Sequence, residues 1–153
     1  MSDLNEKDIE IFIEAIGNYF KQTTQEAASV GAAYLANDTF PINDFTGVIN
    51  VGTDYKGKLY FSAPSAMLRH LLILMKETNH SEENLLDTVG EIANTISGNS
   101  RKYYGENMSL SVPEKVAGLP SNLDDHSRSH AYVIIIKWKH YSASLIVDIS
   151  RIK

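Results

Sequence analysis

Four residues that could form a functional site lie at helical spacing in the run SEENLLDTVGEIANTISGNSRKYYGEN, residues 81–107. Asp87, Glu91 and Asn94 are separated by four and three residues, and Gly98 follows after four more. At about 100° per residue these positions share one side of a helix. The stripe presents a carboxylate and a carboxamide one turn apart, which together can accept and donate hydrogen bonds. Gly98 lacks a Cβ, so another backbone could approach the stripe closely there.

The opposite side of the same run is apolar, and the run predicts an amphipathic helix over residues 81–104. Its apolar positions are Leu85, Val89, Ile92, Ala93 and Ile96. Ser81 can cap the first turn and Gly105 can end the helix. Gly90, Asn94 and Gly98 are poor helix formers, with Gly costing up to about 1 kcal/mol relative to Ala. Their presence indicates a requirement other than helix stability, although a merely solvated face is the simpler alternative, since Glu-x-x-Asn spacing is common.

Two further helices are predicted around this one. Residues 4–23 carry an apolar face of Ile9, Phe12, Ile13, Ile16 and Phe20. Residues 64–78 carry a second apolar face of Met67, Leu68, Leu71, Leu72 and Met75. Both patterns have the period of an amphipathic helix that packs on a core.

Strand patterns lie between and after the helices. Residues 45–51 and 58–63 are β-rich runs joined by GTDYKG, which predicts a hairpin. Residues 130–138 and 141–149 predict two terminal strands with a short turn at Lys139 and His140, and the first of them is apolar on both faces, as in a central strand. Residues 25–40 are ambiguous, because their alanines favour helix whereas Val30, Gly31 and Tyr34 suit a strand. Helices and neighbouring hairpins together predict one α+β domain over residues 1–153, with long amphipathic helices packed on a largely antiparallel sheet.

Composition excludes several classes of function. The chain has 153 residues, 43% hydrophobic and 22% charged, with a net charge of −5 and no cysteine. The negative charge argues against nucleic acid and anionic membranes as partners. The acidic N-terminus has no apolar signal core, and no apolar run approaches about 18 residues. We therefore expect a soluble, cytoplasmic protein.

Other candidate sites are weaker. The sequence DDHSRSH, residues 124–130, places His126 and His130 four residues apart beside two aspartates. It falls in a predicted loop without an evident third ligand, so it does not predict a metal site. His70 is interpreted as a packed or surface residue rather than a catalytic one. Trp138 is interpreted as an edge or core aromatic, with a strand-mediated interface as the alternative. No Gly-rich phosphate loop, Ser/His/Asp arrangement or basic–aromatic nucleic-acid pattern occurs.

The run DTVGEIANTISGNSRK, residues 87–102, resembles the signature helix of the CheC/CheX/FliY chemotaxis phosphatases, and most closely the CheX form. That pattern is an Asp or Ser, three residues, Glu, two residues and Asn, which Asp87, Glu91 and Asn94 fill. Weaker resemblances cover the remainder of the chain. They are EIFIEAIGNYFKQT in the first helix, FTGVINVGTDYKGKLYFSAP in the hairpin, MSLSVPEKVAG with Pro113, and the terminal hairpin.

The resemblance implies a specific activity, acceleration of the loss of the aspartyl phosphate from a CheY-like response-regulator receiver domain. Asn94 would orient the attacking water and Glu91 would pair with the receiver's active-site Lys, whereas Asp87 and Gly98 would be supporting residues. No cofactor of its own is expected, since the receiver supplies Mg²⁺. The alternative is a non-catalytic module that binds a receiver domain or a flagellar switch component by the same helix face.

Two structural expectations also come from the resemblance. Residues 25–36 should form a strand against their alanine content, and the chain should be a homodimer joined through its sheets. The CheC form carries a second Glu-x-x-Asn pair in the first helix. Here Glu14 is followed by Asn18 four residues on, with Gly17 at the matching position, so one site per chain is expected.

Overall fold

The computed structural model describes residues 2–35, 40–118 and 131–152. Its helices are α1 (Glu6–Thr24), α2 (Ser65–Leu74) and α3 (Glu82–Tyr104), and a short 3₁₀ turn (Gly105–Asn107) follows α3. The predicted helices are therefore confirmed, although α2 is shorter than expected. It stops before Met75, whose side chain is 40% exposed rather than part of the buried face.

Among the described residues, eight strands form one antiparallel sheet, which confirms the predicted α+β class. The strands are β1 (Ser2–Asp3), β2 (Ser29–Leu35), β3 (Phe45–Thr53), β4 (Tyr55–Ala63), β5 (Met108–Leu110), β6 (Glu114–Ala117), β7 (Tyr132–Trp138) and β8 (Tyr141–Arg151). The main order is β2-β7-β8-β4-β3-β5, with β1 paired to β8 and β6 paired to β3. The long pairs keep a regular register, such as Ile49 with Leu59 in the β3–β4 hairpin and Ile134 with Leu145 in the β7–β8 hairpin.

The ambiguous segment is a strand, as the resemblance implied. β2 pairs with β7, with a register shift between Val30 and Ala33. This pairing places β7 between β2 and β8, so β7 is the interior strand that its apolar sequence indicated. Val133 packs in a cluster on one face of the sheet, whereas Ile134 and Ile136 join the main core on the other.

The main core lies between the sheet and the helices. α1 begins with a capping box in which Asn5 accepts from the Asp8 N–H and Asp8 accepts from the Asn5 N–H. Each bond satisfies a donor that the first turn would otherwise leave unpaired. Phe12, Ile16 and Phe20 of α1 are completely buried. α1 is thereby fixed at its start by polar capping and along its length by apolar burial.

α3 packs directly on the backbone of β3. A Cβ added at Gly47 would lie 2.6 Å from the carbonyl oxygen of Val89 and 3.0 Å from the Cβ of Ala93. Because no real side chain tolerates the first distance, Gly47 is what allows the helix to come this close. The buried side of α3 is thus held against the sheet, and its opposite side is left facing outward.

Two sequence predictions remain, one about a polar loop and one about membrane-spanning helices. The polar loop with His126 and His130 lies outside the described residues. No helix in the described ranges is both long and apolar enough to cross a membrane.

Candidate active site on helix α3

The predicted stripe lies on the outer face of α3. Asp87, Glu91 and Asn94 are exposed, and Gly98 is half-buried. The five apolar positions predicted for the inner face are at most 2% exposed. We call Asp87, Glu91, Asn94 and Gly98 the polar stripe. It therefore presents its polar groups outward from a helix whose other side is fixed in the core.

Local bonds hold the helix that carries the stripe. Ser81 accepts a hydrogen bond from the Asn84 N–H at 3.2 Å, which is the predicted N-cap. At the other end the Gly105 N–H donates to the Arg101 carbonyl oxygen. Within the stripe, Thr95 Oγ1 donates to the main-chain oxygen of Glu91 at 2.9 Å, so this bond does not involve the Glu91 carboxylate.

One flank of the stripe is formed by β6. The Lys115 ammonium donates to an Asp87 carboxylate oxygen at 2.5 Å, with the two side chains 39% and 49% exposed. A Cβ at Gly90 would lie 3.1 Å from Cγ and 3.2 Å from Cδ of Lys115. Gly90 therefore makes room for the Lys115 stem to cross α3 and reach Asp87. The close approach at Gly90 is thus made by this chain's own β6.

The other flank is formed by α1 and the end of α2. Tyr19, Thr23 and Met75 line a small cavity of about 180 Å³ together with Glu91 and Thr95. Burial raises the pKa of the Tyr19 hydroxyl to about 12, and the charge of Glu91 adds to this although a hydrogen bond with Thr23 opposes it. Tyr19 is therefore neutral at physiological pH, and the acidic side chain on this flank is that of Glu91.

Beyond Asn94 the stripe opens into a groove. A Cβ added at Gly98 would meet no atom within 4 Å. Unlike Gly90, Gly98 has no neighbour in the described chain that requires a glycine. A second molecule could therefore lie against the helix backbone at Gly98 without meeting a Cβ there.

The chemistry available on the stripe is that of orientation. Asn94 offers an oxygen acceptor and two N–H donors, and Glu91 offers acceptors with a negative charge. Among the described residues, no group of three or more His, Cys, Asp or Glu side chains comes together to hold a metal ion. An exposed amide beside a carboxylate on a fixed helix can be inserted into a site on another protein and can order a water there.

A sequence profile described as "Chemotaxis phosphatase CheX" matches residues 45–137, more than half of the chain. This span contains the β3–β4 hairpin, α2 and the whole of α3. The chain belongs to the CheX family. This family description agrees with the resemblance to the chemotaxis phosphatases.

Solved structures of CheX-like and CheC-like proteins share the fold. A CheC-like superfamily protein from Shewanella sp. PV-4 is 20% identical and has a TM-score of 0.79, with 96% of this chain and 98% of that chain covered. Chemotaxis protein CheX from Vibrio vulnificus is 16% identical at a TM-score of 0.78, covering 94% and 99%. A CheX–CheY–BeF₃–Mg²⁺ complex from Borrelia burgdorferi includes a chain that is 15% identical at a TM-score of 0.74, covering 94% and 97%. No curated protein sequence matches significantly.

The position of the second, CheC-type pair in α1 is occupied differently. Glu14 is exposed, and its interaction with the Tyr103 hydroxyl raises the pKa of that hydroxyl. Gly17 offers no side chain, and Asn18 is exposed one position further on. The expectation of a single site per chain stays a prediction.

Sequence reasoning missed residues that flank the stripe. Lys115 lies 28 residues after Asp87, in a segment for which no element was predicted, so nothing in the sequence linked the two. Arg101 and Lys102 follow Asn94 by seven and eight residues. Helical spacing alone could have placed these two beside Gly98.

Proposed function

We propose that this CheX-family protein accelerates dephosphorylation of the aspartyl phosphate of a CheY-like receiver domain. The observation that carries the proposal is the exposed pair Glu91 and Asn94, one turn apart on a helix whose opposite face is buried. The fold is also that of a CheX chain solved with CheY, BeF₃ and Mg²⁺.

Asn94 is assigned the catalytic role. Phosphoryl transfer requires an in-line nucleophile and stabilisation of charge, with little covalent work for the protein. The Asn94 carboxamide has no proton equilibrium near neutral pH, so it can hold a water by the same bonds across that range. Inserted beside the acyl phosphate, it would place that water for attack on phosphorus. The Mg²⁺ is part of the receiver.

Glu91 is assigned the docking role. A carboxylate pairs with an ammonium through charge-assisted hydrogen bonds, and a receiver holds a lysine beside its aspartyl phosphate. Pairing Glu91 with that lysine would set the register of α3, and Asn94 would then lie one turn further along. Asp87 is a supporting residue, since Lys115 already binds its carboxylate.

The experiment follows phosphate loss from CheY-like receiver domains carrying aspartyl phosphate, with and without the purified protein. We expect faster loss with wild type on at least one receiver. If wild type binds a phosphorylated receiver yet leaves its decay rate unchanged, the chain is a non-catalytic module that binds a receiver or a flagellar switch component. The intact pair of Glu91 and Asn94 favours catalysis over that alternative.

We also propose that the protein works in the cytoplasm as a homodimer joined through its sheet. Strand β7 offers no open edge for this contact, because β2 and β8 flank it. At the end of the sheet, β2 leaves Tyr34 42% and Leu35 51% exposed. Light scattering should therefore give twice the chain mass of 17.0 kDa, and a monomer mass at micromolar concentration would contradict the dimer.

A further inference from the structure

A groove continues the polar stripe towards the end of α3. It has a volume of about 620 Å³, and its lining includes Gly98, Arg101, Lys102, Gly105 and Glu106. A Cβ added at either glycine would meet no atom within 4 Å. Arg101 and Lys102 are both exposed. We call this surface the glycine groove.

The charge of the glycine groove is opposite to that of the chain. The net charge of the protein is −5, and the first half of the stripe carries Asp87 and Glu91. The groove instead brings together two cations and one acid, Glu106. The outer face of α3 is therefore polarised: Glu91 lies before Asn94, where Lys115 already pairs with Asp87, and two cations lie after Asn94.

A main-chain contact fixes one of the cations. Arg101 Nε donates to the carbonyl oxygen of Met108, the first residue of β5, at 2.7 Å. This bond holds the guanidinium towards β5 and away from Asn94. Seven residues of helix between Asn94 and Arg101 also separate their backbones by about 10 Å along the axis. Arg101 is therefore too far along the helix to share the phosphoryl group that Asn94 would face.

We infer that the glycine groove binds an acidic segment of the same receiver domain, with Arg101 and Lys102 pairing with its carboxylates. This inference rests on the proposed function and adds a second point of contact to it. Glu91 would meet a cation of the receiver at one end of the helix face, and the two basic residues would meet an anion at the other. Such a pattern admits the receiver in one orientation only, because the reverse orientation brings like charges together.

The test measures affinity separately from turnover. Binding is measured for receiver domains loaded with Mg²⁺ and beryllofluoride, and phosphate loss is measured as a function of receiver concentration. We expect Arg101→Glu/Lys102→Glu to raise both Kd and KM about tenfold, with kcat at saturation within about twofold of wild type. Added salt should reduce the difference in Kd between the variant and wild type, because salt screens exposed charges.

Matched variants separate the groove from general charge and from folding. Lys56→Glu/Lys137→Glu makes the same charge change on the face of the sheet opposite the helices. Strand alternation puts Lys56 on the same face as Tyr60 and Lys137 on the same face as Val133, and Tyr60 and Val133 belong to the cluster on that face. It should leave Kd unchanged. Lys102→Glu alone keeps the bond between Arg101 and Met108 and should still weaken binding, whereas Glu106→Gln should tighten it.

The outcomes distinguish this inference from the proposed function. If wild type binds and dephosphorylates a receiver but the groove variants bind it equally well, the groove inference is wrong and the phosphatase stands. Equal weakening by the groove and control pairs would also overturn it, since general charge would then explain the effect. If wild type binds no receiver at all, both proposals are wrong.

Discussion

Glu91 and Asn94 differ in what their side chains can contribute. Glu91 brings a full charge and no donor, whereas Asn94 brings a neutral group with both donor and acceptor. A charge that attracts a partner lysine acts mainly on complex formation. An amide that orders a water acts in the chemical step. The two residues should therefore affect different kinetic constants.

This difference predicts the behaviour of Glu91→Gln, which keeps size and one acceptor but removes the charge. We expect KM for the phosphorylated receiver to rise about tenfold, since one charge-assisted bond becomes neutral. The value of kcat at saturating receiver should stay near that of wild type. The measurement is phosphate release over a range of receiver concentrations. A lower kcat would instead give Glu91 a role in the chemical step.

The residues of the stripe could be predicted from the sequence because helical spacing fixes which side chains share a face. Their neighbours could not. Asp87 looks as available as Glu91 in the sequence, but Lys115 of β6 binds it in the structure. That contact depends on how a short strand pairs with β3, which no local pattern specifies.

At the scale of the element, substitution of Gly98 tests why α3 carries a poor helix former. Gly98→Ala should raise the free energy of unfolding by about 0.5–1 kcal/mol, because Ala costs less backbone entropy and its Cβ meets no atom. The same change should weaken receiver binding if the partner lies against the helix there. Denaturant unfolding and the binding assay measure the two effects. Greater stability with unchanged affinity would show that close approach at Gly98 is not needed.

Long elements with clear periodicity were predictable, and short or mixed ones were not. The boundaries of α3 were predicted to within one residue, since capping, apolar spacing and a terminal glycine agree. β2 required the family resemblance, because its alanines favour helix while its pairing with β7 is non-local. β5 and β6 have only three and four residues and exist by pairing with β3, so they carry no period of their own.

At the scale of the whole molecule, one buried carboxylate joins three distant parts of the chain. Asp8 in the first turn of α1 is 3% exposed. It accepts two bonds from Arg151 at the end of β8, at 2.7 and 2.9 Å, and one from the Tyr104 hydroxyl at the end of α3, at 2.8 Å. The partners lie 143 and 96 residues away, so the sequence alone could not associate them.

This network predicts a pH-dependent stability. Burial alone would raise the pKa of Asp8, but the bonds from Arg151, the Asn5 N–H and Tyr104 outweigh it and lower the pKa. The folded state therefore binds the proton more weakly than the unfolded chain. The stabilisation is present above the unfolded value of about 4 and is lost as the pH falls through the folded value.

Asp8→Asn should thus lower the free energy of unfolding at pH 7 by about 3 kcal/mol, because it leaves a guanidinium without its charged partner. The difference in the free energy of unfolding from wild type should shrink at about pH 3, below the unfolded pKa of about 4, because the unfolded wild-type chain then takes up a proton that the folded carboxylate binds more weakly. Urea unfolding at the two pH values measures this, with exposed Glu10→Gln of the same helix as control. A difference that is equal at both pH values would contradict the role given to the charge.

The central claim is that Asn94 places the water that attacks the receiver's aspartyl phosphate. The most direct test is the rate of phosphate loss at saturating phosphatase, comparing wild type with Asn94→Ala and with Asn18→Ala, which removes an exposed asparagine from α1. We predict that Asn94→Ala binds the receiver and folds as wild type does, yet slows the step at least about a hundredfold, in the range found for groups that act in the transition state. Asn18→Ala should retain the wild-type rate. If folded and fully bound Asn94→Ala dephosphorylates the receiver as fast as wild type, Asn94 is not the catalytic residue and the account is wrong.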